Sequence, residues 1–438
     1  MAADEQLPGY TGKTVPSYAA TGGAGTSAAA VPMTEHKYGL ENLGKGKEWL
    51  FIFVKSRAPA NASLPYFLQG DTVAGRVEVD LEKSESTKGI MIQILAGATS
   101  VGQEESIFLD LKQDLFPGGK LDKGKKSWPF SFTLPAQVSA AKDHGHKDKI
   151  TIDAPPSFSE RGGAAYIDYR LMVTVKRGAL KPNQTLTKSF AYMPLTQPDA
   201  PSKLRAMAYK DGTALVGPDA DPLGWKVLPP VKIKGKLFDA KDVEVECTVA
   251  LATPLCYTIG APIPIFMTLK GTDEVALDTL SNPKAVRMHL VRSMGLGSDA
   301  MDDSIKQRSN TFIQTGAGQA YFWNATEGAK EPGKRILQGE VELKKSVKPS
   351  FVFPRFTVRY TLNMLPFDIT GFVQQADKKD ALLSESVKIA TRHIPGIVPR
   401  SYAPPGYEKP PESDYNAAVG YLENGNQRFF HHHGGAVQ

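Results

Sequence analysis

Along much of this chain apolar residues recur at every second position, the period of a strand with one buried face. In GDTVAGRVEVDL, Val73, Gly75, Val77, Val79 and Leu81 share one side, while Arg76, Glu78 and Asp80 take the other. KGIMIQIL aligns Ile90, Ile92 and Ile94, and SWPFSFTLP aligns Trp128, Phe130, Phe132 and Leu134. Side chains of this size contribute roughly 1.5 to 3 kcal/mol each when buried, enough for these four to anchor a core. AAYIDYRLMVTVKR sets Ile167, Tyr169, Leu171, Val173 and Val175 against Asp168, Arg170 and Lys176, and TKSFAYMPL adds a strand near Phe190 and Tyr192. Turn residues punctuate these runs, so the pattern predicts an antiparallel sandwich over residues 35–195.

Residues 196–227, with QPDAPSK and VGPDADPLGW, are rich in proline and aspartate and read as a linker or crossover. Alternation then resumes over 228–395. VEVECTVAL alternates Val243, Val245, Cys247, Val249 and Leu251 with Glu244, Glu246 and Thr248. APIPIFMTLK aligns Ile263, Ile265, Met267 and Leu269, and its prolines predict an edge or bent strand. PRFTVRYTLNM aligns Phe356, Val358, Tyr360 and Leu362. One stretch, 104–116, fits either a short amphipathic helix or an irregular strand. The expected fold is all-β: two tandem antiparallel β-sandwich domains of immunoglobulin-like type. An Ala/Gly/Ser-rich arm (1–34) and a proline-rich tail (396–438) are expected to be disordered.

Composition agrees with this class. A chain of 438 residues with 32 Pro and 40 Gly suits many strands joined by turns. The net charge of +6 is compatible with an anionic membrane face, for which Lys123, Lys125 and Lys126 give only a faint hint, but does not point to nucleic acid. No apolar run is long enough to cross a bilayer, and the N-terminus lacks the basic and apolar regions of a secretory signal. Cys247 and Cys256 are too few for a disulfide framework. The expectation is a cytoplasmic protein with reduced thiols, whose sequons at Asn61, Asn183 and Asn324 carry no function.

The residues that chemistry would need are not gathered in any known pattern. There is no G-x-S-x-G, P-loop, H-E-x-x-H or dinucleotide fingerprint, and the expectation is neither an enzyme nor a cofactor or metal protein. KDHGHKDK brings His144 and His146 between Asp143 and Asp148 and reads as a solvated loop; His431, His432 and His433 read as a polar end. Asp302 and Asp303 lack the ligand spacing of a calcium loop. Cys247 falls on the apolar side of its strand and reads as a buried thiol.

The tail is different. SYAPPGYEKPPESDY contains Pro404, Pro405 and Tyr407 in a PPxY pattern. In a polyproline II segment three residues complete a turn, so Pro404 and Tyr407 would project from one side, about 9 Å apart. That presentation suits an aromatic groove for proline beside a pocket for the phenol. LPGY, at Leu7, Pro8 and Tyr10, is a weaker version in the N-terminal arm that would add avidity.

The strand series also resembles a known family. Gly70, Asp71, Val73, Gly75 and Val77, then Phe130, Phe132 and Pro135, then Pro155, Pro156, Ser157 and Phe158, are similar to the N-terminal domain of arrestins. The closest likeness is to the α-arrestins, or arrestin-related trafficking adaptors. VECTVALATPLCYTIGAPIPIFMTLK and KPSFVFPRFTVRYTLNM resemble parts of the arrestin C-terminal domain. The resemblance spans roughly 38–395. It implies a cytoplasmic adaptor recruited to the plasma membrane or endosomes. There it would link membrane-protein cargo, transporters or receptors, to the WW domains of a HECT-type (Nedd4-like) ubiquitin ligase, promoting ubiquitination and endocytosis. Pro404, Pro405 and Tyr407 are then the ligase-binding residues. The other reading is an arrestin-fold, retromer-like sorting scaffold that acts without a ligase. A single full PPxY is present where such adaptors often carry two or more. Control by receptor phosphorylation is not implied, because no counterpart of the arrestin polar core is evident.

Overall fold

The computed structural model describes residues 32–41, 46–100, 104–142, 148–160, 163–178, 181–304, 312–325 and 330–419. They form an all-β chain of two compact units. The first takes in the described residues up to Leu195 with the segments Leu296–Met301 and Phe353–Phe356; the second takes in the rest.

The first unit is a sandwich of nine strands: β1 (Thr34–Glu41), β2 (Glu48–Ser56), β3 (Tyr66–Leu68), β4 (Thr72–Leu81), β5 (Gly89–Ser100), β6 (Ser106–Phe116), β7 (Gly124–Thr133), β8 (Ala165–Lys176) and β9 (Gln184–Met193). One sheet has the order β1-β2-β4-β7 and the other β3-β9-β8-β5-β6. Pairing is antiparallel except between β3 and β9. The period of two fixes which side chains enter the core. Ile90, Ile92 and Ile94 lie opposite Val175, Val173 and Leu171, and all six are buried. Val73, Val77, Val79, Phe130, Phe132 and Leu134 are buried in the same way. Trp128 departs from the pattern and is half-buried, because β7 is the edge of its sheet and the indole meets Phe116 at 5.9 Å instead of a flanking strand.

The ambiguous stretch at 104–116 is a strand. Its register against β5 shifts at Ile90/Met91 and again at Ala96/Gly97, so the adjacent Phe108 and Leu109 are both buried and the simple period is lost. Farther on, Gln137–Ala141 and Lys149–Asp153 pair as an antiparallel ribbon around the histidine-bearing segment. His144 and His146, with Asp143, lie outside the described residues.

The residues that carry the family resemblance have structural work in this unit. Asp71 accepts from Arg57 Nε at 2.6 Å and Nη2 at 2.7 Å, and from the Leu68 backbone N–H at 2.8 Å, which closes the β3–β4 turn. Phe158 bridges to Ile167, and the Ser157 hydroxyl accepts from the Tyr192 N–H at 3.0 Å. Buried Tyr169 donates its hydroxyl to the Pro155 carbonyl at 2.7 Å. Burial pushes the Tyr169 phenol well above its usual pKa, so it is a donor throughout the neutral range.

The second unit begins where a linker is expected, and its first residues are ordered otherwise. Helix α1 (Lys203–Asp211) starts at Ser202, whose hydroxyl accepts from Arg205 N, and ends at Gly212; Trp225–Val227 then pairs with a strand of the main sheet. That sheet contains β10 (Val231–Leu237), β11 (Lys241–Ala252), β12 (Cys256–Thr258), β13 (Pro262–Lys270), β14 (Arg287–Leu296), β15 (Phe312–Asn324), β16 (Lys334–Glu342), β17 (Phe356–Leu365), β18 (Phe372–Gln374) and β19 (Leu383–Ala390). Its order is β12-β19-β17-β14-β15-β16-β13-β11-β10-β18. Strand β15 turns the corner, pairing with β14 through its first half and with β16 through Ala320–Asn324, so one sheet curls around a single core. Val245, Cys247, Ile265, Met267, Leu290, Leu337, Val358 and Leu362 fill that core.

Of the two readings their sequence allows, an edge or a bent strand, the prolines of β13 do not mark an outer edge, since β13 lies between β11 and β16. The ladder to β11 stops at Leu251–Ile265, however. Pro264 and Pro262 lie past its end and pair only with Glu340 and Glu342 of β16. A missing N–H is therefore tolerated locally without placing the whole strand at an edge. A second helix, α2 (Glu274–Leu280), follows β13 and is capped by Asp273, which accepts from Val275 and Ala276.

Candidate functional site

The described part of the tail, 396–419, is packed on the second unit through contacts that begin at Arg400. The Arg400 guanidinium donates to the carbonyl of Tyr209 near the end of α1, and Tyr402 stacks beside Tyr209 with ring centres 6.1 Å apart. Next, both oxygens of Glu340 on β16 are taken: the Ser401 hydroxyl donates to Oε1, and the Tyr402 N–H donates to Oε2 at 3.1 Å. Glu340 is only 4% exposed, so these charge-assisted bonds replace the water that its carboxylate has lost.

The PPGY residues then form a tight turn. The Tyr407 N–H donates to the Pro404 carbonyl at 3.0 Å, and Gly406 has φ of 77°, the positive value that the third position of a type II turn requires. Pro404 and Pro405 are exposed, whereas Tyr407 is drawn inward. Its hydroxyl donates to the carbonyl of Phe322 on β15 at 3.0 Å, and its ring meets Trp323 edge-on at 5.6 Å. Burial is the main cause of the raised pKa of this phenol, with Glu340 adding to it. The extended polyproline presentation expected from the sequence is thus replaced by a turn, because glycine permits the bend and the phenol gains partners by making it.

Beyond the turn, Lys409 pairs with Glu342 of β16, Glu412 pairs with Lys344 at 2.7 Å, and the Ser413 N–H donates to Gln319 of β15 at 2.7 Å. Exposed ion pairs of this kind contribute about 0–1 kcal/mol each. The stronger anchor is Tyr415, at the start of the short helix α3 (Tyr415–Ala418). It is buried against Val291 and Leu365, with Ala418 and Val419 packed on the same cluster. Its ring lies 5.5 Å from His289, and its hydroxyl is 3.3 Å from Asn363 Nδ2. Residues 400–419 therefore do not follow the expectation of a disordered tail. Three tyrosines, at 402, 407 and 415, supply the apolar area that the proline-rich composition conceals.

Among the sites read from the sequence, Pro404, Pro405 and Tyr407 are brought together on β15–β16, whereas Leu7, Pro8, Tyr10 and the histidines at 431–433 lie outside the described residues. Asp302 accepts from the Ser304 N–H and so caps a local turn. Cys247 is fully buried and its thiol is pushed up to about 12, while half-buried Cys256 is also raised, chiefly by burial. A thiol-alkylating reagent at neutral pH is accordingly expected to leave Cys247 unmodified in the native protein and to reach it only on unfolding, which peptide mass mapping would check.

Sequence reasoning missed the receiving residues: Trp323, Phe322, Glu340, Glu342 and Gln319. They reach the tail only through the β15–β16 pairing. The second unit also carries a recess of about 460 Å³, measured out to open solvent, beside α1. Buried Arg205 reaches this recess, stacks on Trp225 at 4.6 Å and donates to the Thr253 carbonyl at 2.8 Å. Among the described residues no helix is long and apolar enough to cross a membrane. No family model matches this chain, and no curated protein matches it either.

Proposed function

We propose that this protein is a cytoplasmic adaptor of arrestin type. In this reading it links membrane-protein cargo to a HECT-type ubiquitin ligase, whose WW domains bind Pro404, Pro405 and Tyr407. Two β-sandwich units and the strand motifs of the first support the arrestin comparison. The observation that carries the ligase assignment is the PPGY motif with both of its prolines exposed at the surface of the second unit. Proline rings restrict their own backbone, so the released PPGY segment loses little conformational freedom when an aromatic groove receives it. The adaptor acts at the plasma membrane or endosomes, where its cargo is.

The test is binding of a Nedd4-type WW domain to a synthetic peptide of residues 400–413 and to the intact chain, with and without Tyr407→Ala. Micromolar binding of the peptide, about −8 kcal/mol, is expected, and loss of the phenol should weaken it by at least about tenfold. A peptide that does not bind, or that binds equally well without the tyrosine, would remove the ligase from the reading. An arrestin-fold sorting scaffold would then be the better description.

A further inference from the structure

We propose that the β15–β16 surface is a receptor site for a proline–tyrosine turn. In this protein residues 400–415 of the same chain fill it, so the site competes with any WW domain for Tyr407. The competition rests on the adaptor reading above, whereas the receptor site stands on its own geometry.

That geometry has the parts peptide recognition needs. Trp323 supplies an aromatic wall, and the Phe322 carbonyl accepts the phenol hydroxyl at 3.0 Å. Glu340 fixes the segment before the prolines through Ser401 and Tyr402, and Glu342 fixes the segment after the tyrosine through Lys409. Lys409 also lies 5.7 Å from the centre of the Tyr321 ring. Contacts on both flanks and at the tyrosine define orientation as well as position. A PPxY-reading domain must enclose the same phenol, and one phenol cannot occupy two pockets. Exposed prolines alone leave such a domain without its second anchor.

Being on the same chain strengthens the competition. A short tether presents the turn at an effective concentration in the millimolar range, without new contacts. A WW domain then sees only the fraction of molecules whose turn is free, and its apparent affinity falls by that fraction. Tyr415 keeps that fraction small by anchoring the far end in the Val291–Leu365 cluster.

Two body substitutions outside the motif test this: Trp323→Ala, which removes the wall, and Glu342→Lys, an exposed reversal that repels Lys409 and spares the core. The WW domain is expected to bind the 400–413 peptide at least tenfold more tightly than the intact chain. Both variants should move the intact chain toward the peptide. Hydrogen exchange gives a readout free of any ligase: amides at 400–413 should be protected in wild type and fast in either variant. Equal affinity of peptide and intact chain would overturn the competition, and fast exchange in wild type would overturn the receptor site. A peptide that fails to bind while 400–413 stays protected would remove the ligase reading and leave the receptor site in place.

Discussion

Gly75→Ala is expected to open the centre of the first unit's four-stranded sheet. A Cβ at this position would stand 1.9 Å from the carbonyl oxygen of Phe53, 2.9 Å from its carbonyl carbon and 3.0 Å from the end of the Phe130 ring. Two of these three atoms are backbone, so rotating a side chain cannot relieve the clash. Strand β4 lies between β2 and β7, and Gly75 pairs with Val54 on one side and Phe130 on the other. Either neighbouring ladder would have to move. A cost above about 3 kcal/mol follows, a large share of the roughly 5–15 kcal/mol that holds a domain together. Denaturant titration with a first-unit probe would read it as a lower midpoint. Ala74→Ser, on the adjacent half-buried position, should change stability by no more than about 0.5 kcal/mol. Wild-type stability in Gly75→Ala would refute the close approach.

Alternating runs were legible where both strand neighbours and a simple register let the two-residue period act alone. β4, β8, β11 and β17 are of that kind, and β5 keeps its period because the extra residues fall on its neighbour β6. WLFIFVK at 49–55 hides its period, because Trp49 to Val54 are all apolar, and only the fold separates buried Leu50, Ile52 and Val54 from half-buried Phe51 and Phe53. Bulges blurred β6, because each shift in register swaps the face that looks inward. Helix α1 was hidden differently. Most of its side chains are exposed or half-exposed, so no apolar stripe marks it, and only Ser202 and Gly212 at its ends signalled a start and a stop.

The motif in the tail was legible as a tetrapeptide, because PPxY is local. Its setting was not. Phe322 and Trp323 precede Tyr407 by more than eighty residues, and Glu340 by more than sixty, and no local rule joins such positions. A proline-rich segment has too little apolar area to order itself. Here the area is supplied by the receiving strands and by tyrosines that the composition counts as scattered. Glu340 shows the same limit from the other side. In sequence it is one more charge on an alternating strand, yet in the folded chain it is a buried carboxylate satisfied by residues of the tail.

Acid should loosen the second unit through His289. Its ring, on β14, is 1% exposed, its Nε2 has no hydrogen-bond partner among the described residues, and Tyr415 of the tail lies against it. Burial is the largest influence on this imidazole, nearby Arg287 adds to it, Asp414 of the tail opposes it, and the pKa falls from 6.5 to about 4. The folded state therefore refuses a proton that the unfolded chain accepts. The resulting stability is fully present above about pH 6.5, is lost progressively as pH falls through the window, and levels off below about 4. The depression is equivalent to about 3 kcal/mol at most. His289→Phe, which keeps an aromatic ring and cannot take the proton, should flatten the decline between about pH 6.5 and about pH 4.5 in denaturant titrations. Identical pH profiles for wild type and variant would show that His289 does not govern it. The same linkage reaches the tail, because detaching Tyr415 returns the imidazole to water and restores its affinity for a proton. Protection at 400–413, taken relative to the intrinsic amide rate at each pH, is thus expected to fall on acidification, and to hold level in His289→Phe.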